Sequence, residues 1–490
     1  MGCGVFGILN INDDPAYLNI YWGIRALNNR GHQSWKIVTY HKGFFGYGAL
    51  GLVPPLDQID SKLKSAGISL SQILPGGSGI GNTRYTTFGG ADPESLMHDS
   101  QPIVEQNSKA NLTISYNGNI VNSGKLKNEI VSKIGPVSTS VDTELINKKL
   151  ILELSKGDIF SAVKNCMEQI EGAYSIVGLH NGDLFAFRDA YGIRPLCYGL
   201  GEDKTDYVFA SETPAIEKGG FDFNSFIEPG ECALVDKNGV ERRRLLVSRK
   251  KAFCSFEIAY FSRPESMLSN GKYIYKAREE FGRSLARENA DVAKKLDIVI
   301  SIPETADDAT YGFHEETGIP WERAVRRDKF VSERAFIKAP EERVQTIQRK
   351  ITIVGERLKG KVIGCVDDSI VRGDTTRNII REIRNFAKEV HLFITFPKIV
   401  SVCPYGIDMA TFKELIGAVK TQEEIAKVIG VDSLHYQSLE GFLNASGFKK
   451  DELCLGCISR QYPTPYADRL IERKWKKFCR GCQEKGRVYE

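Results

Sequence analysis

The apolar run Lys361–Val366 ends in two adjacent carboxylates, Asp367 and Asp368, followed by a loop holding Ser369, Arg372, Gly373, Thr375 and Thr376 that opens directly into a helix-forming stretch. Paired carboxylates at a strand end accept hydrogen bonds from a sugar diol, while hydroxyls, a glycine amide and a helix N-terminus suit a phosphate. A ribose 5-phosphate satisfies both halves; an acidic strand end followed by an ordinary helix cap is the plainer alternative. Thiols are the second resource. The chain has 11 cysteines, an odd number without a signal peptide, which argues for metal or catalytic thiols over a disulfide framework. Cys454 and Cys457 form one CxxC pair, Cys479 and Cys482 another, and Cys3 lies alone near the N-terminus. A CxxC pair by itself leaves zinc, redox chemistry and chance open.

The elements that position these groups change character along the chain. Up to about residue 245, short β-type runs such as CGVFGILNI, LTISYNGNI and AYSIVGL alternate with Gly, Asn and Asp turns. This predicts antiparallel sheets, with helices expected over Ala16–Asn29 and Asp142–Leu154. From about residue 270, helical patterns at Tyr275–Lys295 and Thr376–Lys388 alternate with the strands DIVISIP, KVIGCVDD and EVHLFITFP. Strand, helix, strand implies a parallel sheet with ligand loops at its carboxyl ends. The basic run RRRLLVSRKK marks a connector near Leu245–Lys251, giving expected units of residues 3–245 and 252–445, with a segment 446–490 behind them.

A chain of 490 residues with 42% apolar and 26% charged residues has ordinary globular usage. No apolar run approaches the ~20 residues of a membrane span, and the N-terminus MGCGVFGILNIN lacks the basic and apolar regions of a signal peptide. A cytoplasmic protein with no membrane partner is expected. A net charge of +4 is too small to argue for nucleic acid. The last twenty residues are basic, with seven Lys or Arg against three Glu; a solvated terminal helix and a dock for an acidic partner are both open readings.

The string VIGCVDDSIVRGDTTRNII over Val362–Ile380 resembles the phosphoribosyl pyrophosphate (PRPP) motif of type I phosphoribosyltransferases, in the form found in the glutamine PRPP amidotransferase family. Other stretches are similar to that family in the same order: Cys3-Gly4-Val5-Phe6-Gly7, Arg30-Gly31, Arg84-Tyr85-Thr86-Thr87, Asn117-Gly118, Asp142, CSFEIAYFSRPES and YGIDMAT. The resemblance implies an N-terminal-nucleophile glutaminase domain of αββα layers, then a type I phosphoribosyltransferase domain with helices on both faces of a parallel sheet. It implies Cys3 as nucleophile, its own α-amine serving as base. Asn117 and Gly118 would form the oxyanion hole, and Arg84, Asp142 and Arg30 would hold glutamine. PRPP would be bound by Asp367, Asp368, Ser369, Arg372, Gly373, Thr375 and Thr376, with Glu304 and Thr305 on the pyrophosphate loop.

Cys254, Cys403, Cys454 and Cys457 fall where one branch of the family carries the four thiolates of a [4Fe–4S] cluster; a zinc site is the alternative. Mg²⁺ held through PRPP beside Asp367 and Asp368, purine nucleotides as inhibitors and a homo-oligomer are implied in the same way. The implied activity is glutamine-dependent formation of 5-phosphoribosylamine from PRPP, opening purine synthesis. A catalytically impaired relative with a regulatory, structural or binding role is the alternative.

Five departures from the family pattern carry expectations of their own. Gly2 ahead of Cys3 turns the required amine into an amide unless it is removed. Trp35-Lys36 replaces a small pair and is expected to crowd the nucleophile's pocket. The pyrophosphate loop reads Pro303-Glu304-Thr305-Ala306-Asp307-Asp308, whose two added carboxylates are expected to repel pyrophosphate. Asp374 adds a like charge beside the 5-phosphate loop. Arg326-Arg327-Asp328-Lys329-Phe330 keeps the basic character of the family's flexible loop in altered order. Cys479 and Cys482 lie beyond the family pattern, open to a peripheral metal or redox role.

Overall fold

The computed structural model describes residues 2–86, 92–106, 111–248, 250–328 and 351–484; Thr87, Lys329 and Phe330 lie outside them. Between residues 4 and 244 run β1 (Gly4–Asn10), β2 (Ser34–Tyr40), β3 (Phe44–Leu50), β4 (Ser78–Arg84), β5 (Ile103–Gln106), β6 (Asn111–Ile120), β7 (Gly172–His180), β8 (Asp183–Arg188), β9 (Cys197–Leu200), β10 (Asp206–Ala210), β11 (Asp222–Phe226), β12 (Glu231–Asp236) and β13 (Gly239–Arg244). They form two antiparallel sheets, in the orders β11-β9-β10-β1-β4-β2-β3 and β13-β12-β8-β7-β6-β5.

Every residue of β1 is buried because both faces of its sheet are covered. Val5 and Leu9 meet Val177 and Leu184 of the second sheet, while Phe6 and Ile8 meet Ile20, Tyr21 and Ile24 of the helix Tyr17–Ala26. On the outer face of the second sheet, the helices Asp142–Leu154 and Ile159–Gln169 bury Ile146, Leu150 and Val163 against Ile114, Ile176 and Phe187. The layers are therefore helix, sheet, sheet, helix.

The second half contains β14 (Phe253–Cys254), β15 (Ile298–Ser301), β16 (Val325–Arg327), β17 (Ile351–Ile353), β18 (Val362–Asp367), β19 (Glu389–Ile394), β20 (Ser433–Tyr436) and β21 (Leu453–Cys454). Strands β15, β18, β19 and β20 form, in that order, one parallel sheet. Helices Ile274–Glu288 and Asp307–Thr317 cover one face through Leu285 and Phe313. Helices Asp374–Arg384 and Gln422–Ile429 cover the other through Ile379, Ile380 and Ile425. Burial on both faces explains why these strands read as unbroken apolar runs.

The helix expected over Tyr275–Lys295 breaks at Asn289, whose amide donates to the Leu285 carbonyl at 2.9 Å, and resumes as Ala290–Ala293. That expected from Thr376 starts at Asp374 instead, because Gly373 at φ +84° turns the chain into it. Beyond β20 the chain folds back. Strand β21 pairs in parallel with β14, placing Cys454 opposite Cys254. The helix Pro465–Cys479 then buries Ala467, Leu470 and Ile471 in a core shared with Val121, Ala173 and Ile193 of the first half.

Candidate active sites

The first candidate site sits where the edges of β1, β4 and β6 meet. Cys3 immediately precedes β1, Arg84 closes β4, Asn117 and Gly118 lie within β6, and Asp142 is the first residue of its helix. The half-buried Cys3 thiol faces the Tyr85 carbonyl at 3.8 Å. Burial pushes it above the ordinary thiol range, against the opposing pull of Arg84 and Arg30.

Asn117 is fully buried, and neither amide atom has a hydrogen-bond partner among the described residues. Gly2 stands in front of it, since a Cβ there would lie 2.8 Å from the Asn117 Oδ1. An unpaired buried amide is costly, so this one is held ready for a group that enters the site. At Gly118 a Cβ would lie 1.9 Å from the Ala173 carbonyl oxygen, so only glycine lets β6 lie this close to β7. The Asp142 Oδ2 accepts the Ile120 N–H at 2.9 Å, and burial pushes its carboxyl up to about 6. Arg84 is buried, its guanidinium reaching the Leu96 carbonyl at 3.5 Å and the Asp99 Oδ2 at 3.4 Å.

Arg30 is committed differently from a ligand fork. Its Nη1 and Nη2 bind Glu212 and Glu257, both at 2.7 Å, and its Nε donates to the Cys3 carbonyl at 3.1 Å. Glu257 also takes the Arg194 Nη1 at 2.9 Å, and the Arg194 Nη2 donates to the Tyr405 carbonyl at 2.7 Å. Arg30 therefore fixes the Cys3 backbone, within a buried ion network that joins the two halves. Glu212, Glu257 and Arg194 escaped the sequence reading. Glu257 alone carried a signal, a charge inside the otherwise apolar string FEIAYF.

Trp35 does not crowd this pocket. Strand alternation turns it to the helix-covered face, where it is buried with Tyr21, Leu27 and Val53 and meets Tyr47 edge-on. Lys36 lies on the opposite face, on the side of buried Val38, and burial lowers its ammonium pKa.

The second site lies at the carboxyl ends of β15 and β18, as parallel sheets place their ligand loops. Asp367 and Asp368 are both buried. The Asp367 carboxylate accepts the Asp368 N–H at 2.9 Å and the Thr376 hydroxyl at 3.1 Å, while Asp368 accepts the Ser369 hydroxyl at 2.6 Å. Burial, then mutual repulsion, holds Asp367 far above the carboxylate range. Asp368 is pushed up to about 6, mainly by burial, with Ser369, Arg278 and Thr305 opposing. Arg372 pairs with Glu414 at 3.1 Å and lies 3.8 Å from Asp408. Gly373, Thr375 and Thr376 open the helix N-terminus beside the two carboxylates.

Asp307 and Asp308 lie in the first turn of their helix. Asp307 accepts the Ser301 hydroxyl at 2.5 Å, and burial raises both carboxyls above their ordinary range, with Arg278 opposing at Asp308. Asp374 is likewise engaged, by Arg377 at 3.1 Å on the exposed surface. Glu304 is exposed and faces Arg327 at 3.5 Å. Tyr260, absent from the sequence-derived set, packs in the π-helical turn Glu257–Phe261 and feels both Asp368 and Tyr85. The Tyr85 hydroxyl in turn donates to Asp408 at 3.3 Å.

The four cysteines Cys254, Cys403, Cys454 and Cys457 share one neighbourhood. Cys254 and Cys454 are paired across β14 and β21. Each of Cys254 and Cys454 lies within electrostatic range of Cys403, and Cys457 within range of all three. The Tyr405 N–H donates to the Cys403 Sγ at 3.4 Å. Among the described residues no three His, Cys, Asp or Glu side chains converge closely enough to hold a single ion.

A two-layer sheet with a near-terminal cysteine, joined to a phosphoribosyl-type parallel sheet, defines a two-domain glutamine amidotransferase. A family model described as a glutamine amidotransferase domain matches residues 92–218. The amidophosphoribosyltransferase of Methanocaldococcus jannaschii is 38% identical over 480 residues, covering 94% of this chain and 98% of the relative. That of Bacillus subtilis is 34% identical, covering 96% of each. Among solved structures, the B. subtilis glutamine PRPP amidotransferase complexed with ADP and GMP superposes with a TM-score of 0.83 at 32% identity, over 95% of this chain and 98% of that one. The chain belongs to the amidophosphoribosyltransferase family.

Proposed function

We propose that this chain forms 5-phosphoribosylamine from PRPP, glutamine and water, the reaction that opens purine synthesis. The reading is supported by two complementary groups of residues in one chain: Cys3 within electrostatic range of Arg84 with its neighbour Gly2 against Asn117, and Asp367-Asp368 bonded to the Thr376 hydroxyl at a helix start. Once Met1 and Gly2 are removed, the Cys3 α-amine takes the thiol proton and the sulfur attacks the glutamine amide carbon. The oxyanion forms against the Asn117 amide and the Gly118 N–H. Arg84 pairs with the substrate carboxylate and Asp142 with its ammonium. Ammonia leaves, and water resolves the thioester.

In the second site Asp367 and Asp368 accept the ribose hydroxyls, while the loop from Ser369 to Thr376 holds the 5-phosphate. Ammonia then displaces pyrophosphate at C1. Mg²⁺ bound with PRPP supplies charge neutralisation for the leaving pyrophosphate. Cys254, Cys403, Cys454 and Cys457 suit a [4Fe–4S] cluster, which would tie β14 and β21 to the rest of the domain. We further propose that purine nucleotides inhibit, that the chain forms a homo-oligomer, and that it works in the cytoplasm; among the described residues no helix is long and apolar enough to cross a membrane.

The test is pyrophosphate release from Mg-PRPP by anaerobically purified protein, supplied in parallel with glutamine and with free ammonia. Protein with Cys3 exposed will release it with both. Protein retaining Gly2, or carrying Cys3→Ala, will release it with ammonia while losing about 10³-fold or more with glutamine. Release with neither, from folded protein, overturns the proposal.

Asp142 adds a pH dependence. Its ionised form is the partner of the substrate ammonium, and its carboxyl titrates at about 6. KM for glutamine will therefore rise as pH falls through 6, approaching about tenfold per further unit. Asp142→Asn will raise it at all pH values by about 10²-fold, with ammonia-dependent turnover unchanged. A pH-independent KM in the wild type would remove Asp142 from this role.

A further inference from the structure

The helix Pro465–Cys479 ends in a defined turn that neither reaction centre uses. Gly481 sits at φ +75°; its N–H donates to the Phe478 carbonyl at 2.9 Å, and the Cys482 N–H to the Lys477 carbonyl at 3.2 Å. This is the paired 5→2 and 6→1 bonding of a Schellman cap. It leaves two free, exposed thiols, Cys479 and Cys482, on either side of one turn. Two residues on, the Glu484 carboxylate accepts the N–H groups of Phe412 and Lys413, one on each oxygen, both at 2.9 Å. The Phe412 ring is packed against Trp475 and Phe478, with centroids 4.9 and 5.5 Å away. The next residue along, Glu414, holds Arg372 of the phosphate loop at 3.1 Å. The Ile416 N–H donates to the Val371 carbonyl at 3.1 Å.

We infer that Cys479 and Cys482 form a reversible dithiol–disulfide site that governs, through the Glu484 clamp, the loop holding Arg372. The coupling to PRPP rests on the function proposed above. The oxidant is a disulfide of the thioredoxin or glutathione class. One thiolate attacks it and releases the first thiol; the second cysteine displaces the other thiol, so the pair loses two protons and two electrons while the incoming disulfide gains them.

In the dithiol form the clamp is closed, as observed. Cys482 lies beyond the left-handed Gly481 that ends the helix, and a disulfide needs its two Cβ atoms about 3.5–4.5 Å apart. Oxidation therefore draws Cys482 toward the helix end and pulls Glu484 off its two amides. Arg372 is then held less firmly and PRPP is bound less well.

The full-length protein is equilibrated anaerobically with defined ratios of reduced and oxidised glutathione. Peptide mapping reads the Cys479–Cys482 disulfide, Trp475 fluorescence reads the clamp, and KM for PRPP is measured with ammonia as nitrogen donor. Oxidation is expected to form the internal disulfide, shift the fluorescence and raise KM several-fold, all reversed by a dithiol reductant. Cys479→Ser will abolish the response, and reduced Glu484→Gln will reproduce the oxidised KM. A Trp475→Phe control assigns the optical signal. Failure to form the disulfide at any ratio, or stoichiometric zinc binding by the pair in its place, overturns the site. A disulfide that moves neither fluorescence nor KM overturns the coupling. If PRPP is not turned over at all, the function is wrong, yet the mapping and fluorescence still decide the switch.

Discussion

Glu257→Gln will lower glutamine-dependent turnover by at least about 10²-fold while ammonia-dependent turnover stays within several-fold of the wild type. Glu257 is fully buried and takes Arg30 at 2.7 Å and Arg194 at 2.9 Å on one carboxylate oxygen. Gln keeps the shape and removes the charge, leaving buried Arg30 on Glu212 alone and buried Arg194 on the Tyr405 carbonyl. Removing one partner of a buried ion pair typically costs about 3–5 kcal/mol, and the melting temperature will fall accordingly. The catalytic effect has a separate route. The Arg30 Nε holds the Cys3 carbonyl, and Arg194 flanks the space between Gly2 and Asn117. When the network relaxes, the nucleophile loses its register with the oxyanion hole, and a shift of about 1 Å can cost 10²-fold. Because Asp367 and Asp368 lie elsewhere, KM for PRPP will hold. A variant losing both activities in proportion to its loss of folded protein would make Glu257 merely structural. The paired variant with Arg194→Met, which removes one stranded charge, will recover stability without recovering glutamine use.

The residues that make this network were the least legible part of the chain. The unbroken apolar runs of β1 and β18 announce their layers, because burial on both faces writes itself into local composition. The carboxylates, hydroxyls and glycine of the phosphate loop are adjacent in sequence, so their shared chemistry is visible there. Glu257 and Arg30 are 227 residues apart, and nothing local in either segment encodes their meeting. Trp35 shows the converse error. Its bulk in place of a small residue suggested crowding, but one step of strand alternation carries it to the other face. Asp307 and Asp308 read as loop residues; in the structure they open the helix Asp307–Thr317.

Asp368→Asn will make the ligand-free protein more stable and, at the same time, nearly inactive. Asp367 and Asp368 are buried next to each other, and the Asp368 carboxyl is pushed up to about 6. In the unfolded chain it would titrate near 3.9. Between those values the native state binds more protons than the unfolded state, so stability falls as pH rises. Above 6 the folded protein carries the full cost of the buried charge, about 1–3 kcal/mol for a shift of this kind. Asn removes that cost and leaves an oxygen to accept the Ser369 hydroxyl. The wild-type melting temperature will therefore decline from pH 5 to pH 7.5 more steeply than that of the variant, and at pH 7.5 the variant will melt higher. Activity moves the other way. A ribose diol gives up two hydrogen bonds to a charged acceptor, each about 1.5–3 kcal/mol, so turnover with either nitrogen donor drops by roughly 10²–10⁴-fold. A lower melting temperature at pH 7.5 would show that the Arg278 charge and the Thr305 hydrogen bond already stabilise ionised Asp368 in the empty site. Retained activity would place the ribose elsewhere. The expected opposition of stability and activity follows from a pair of like charges held dry, which a folded chain tolerates because its substrate, arriving with hydroxyls and a bound cation, supplies the partners that the protein leaves out.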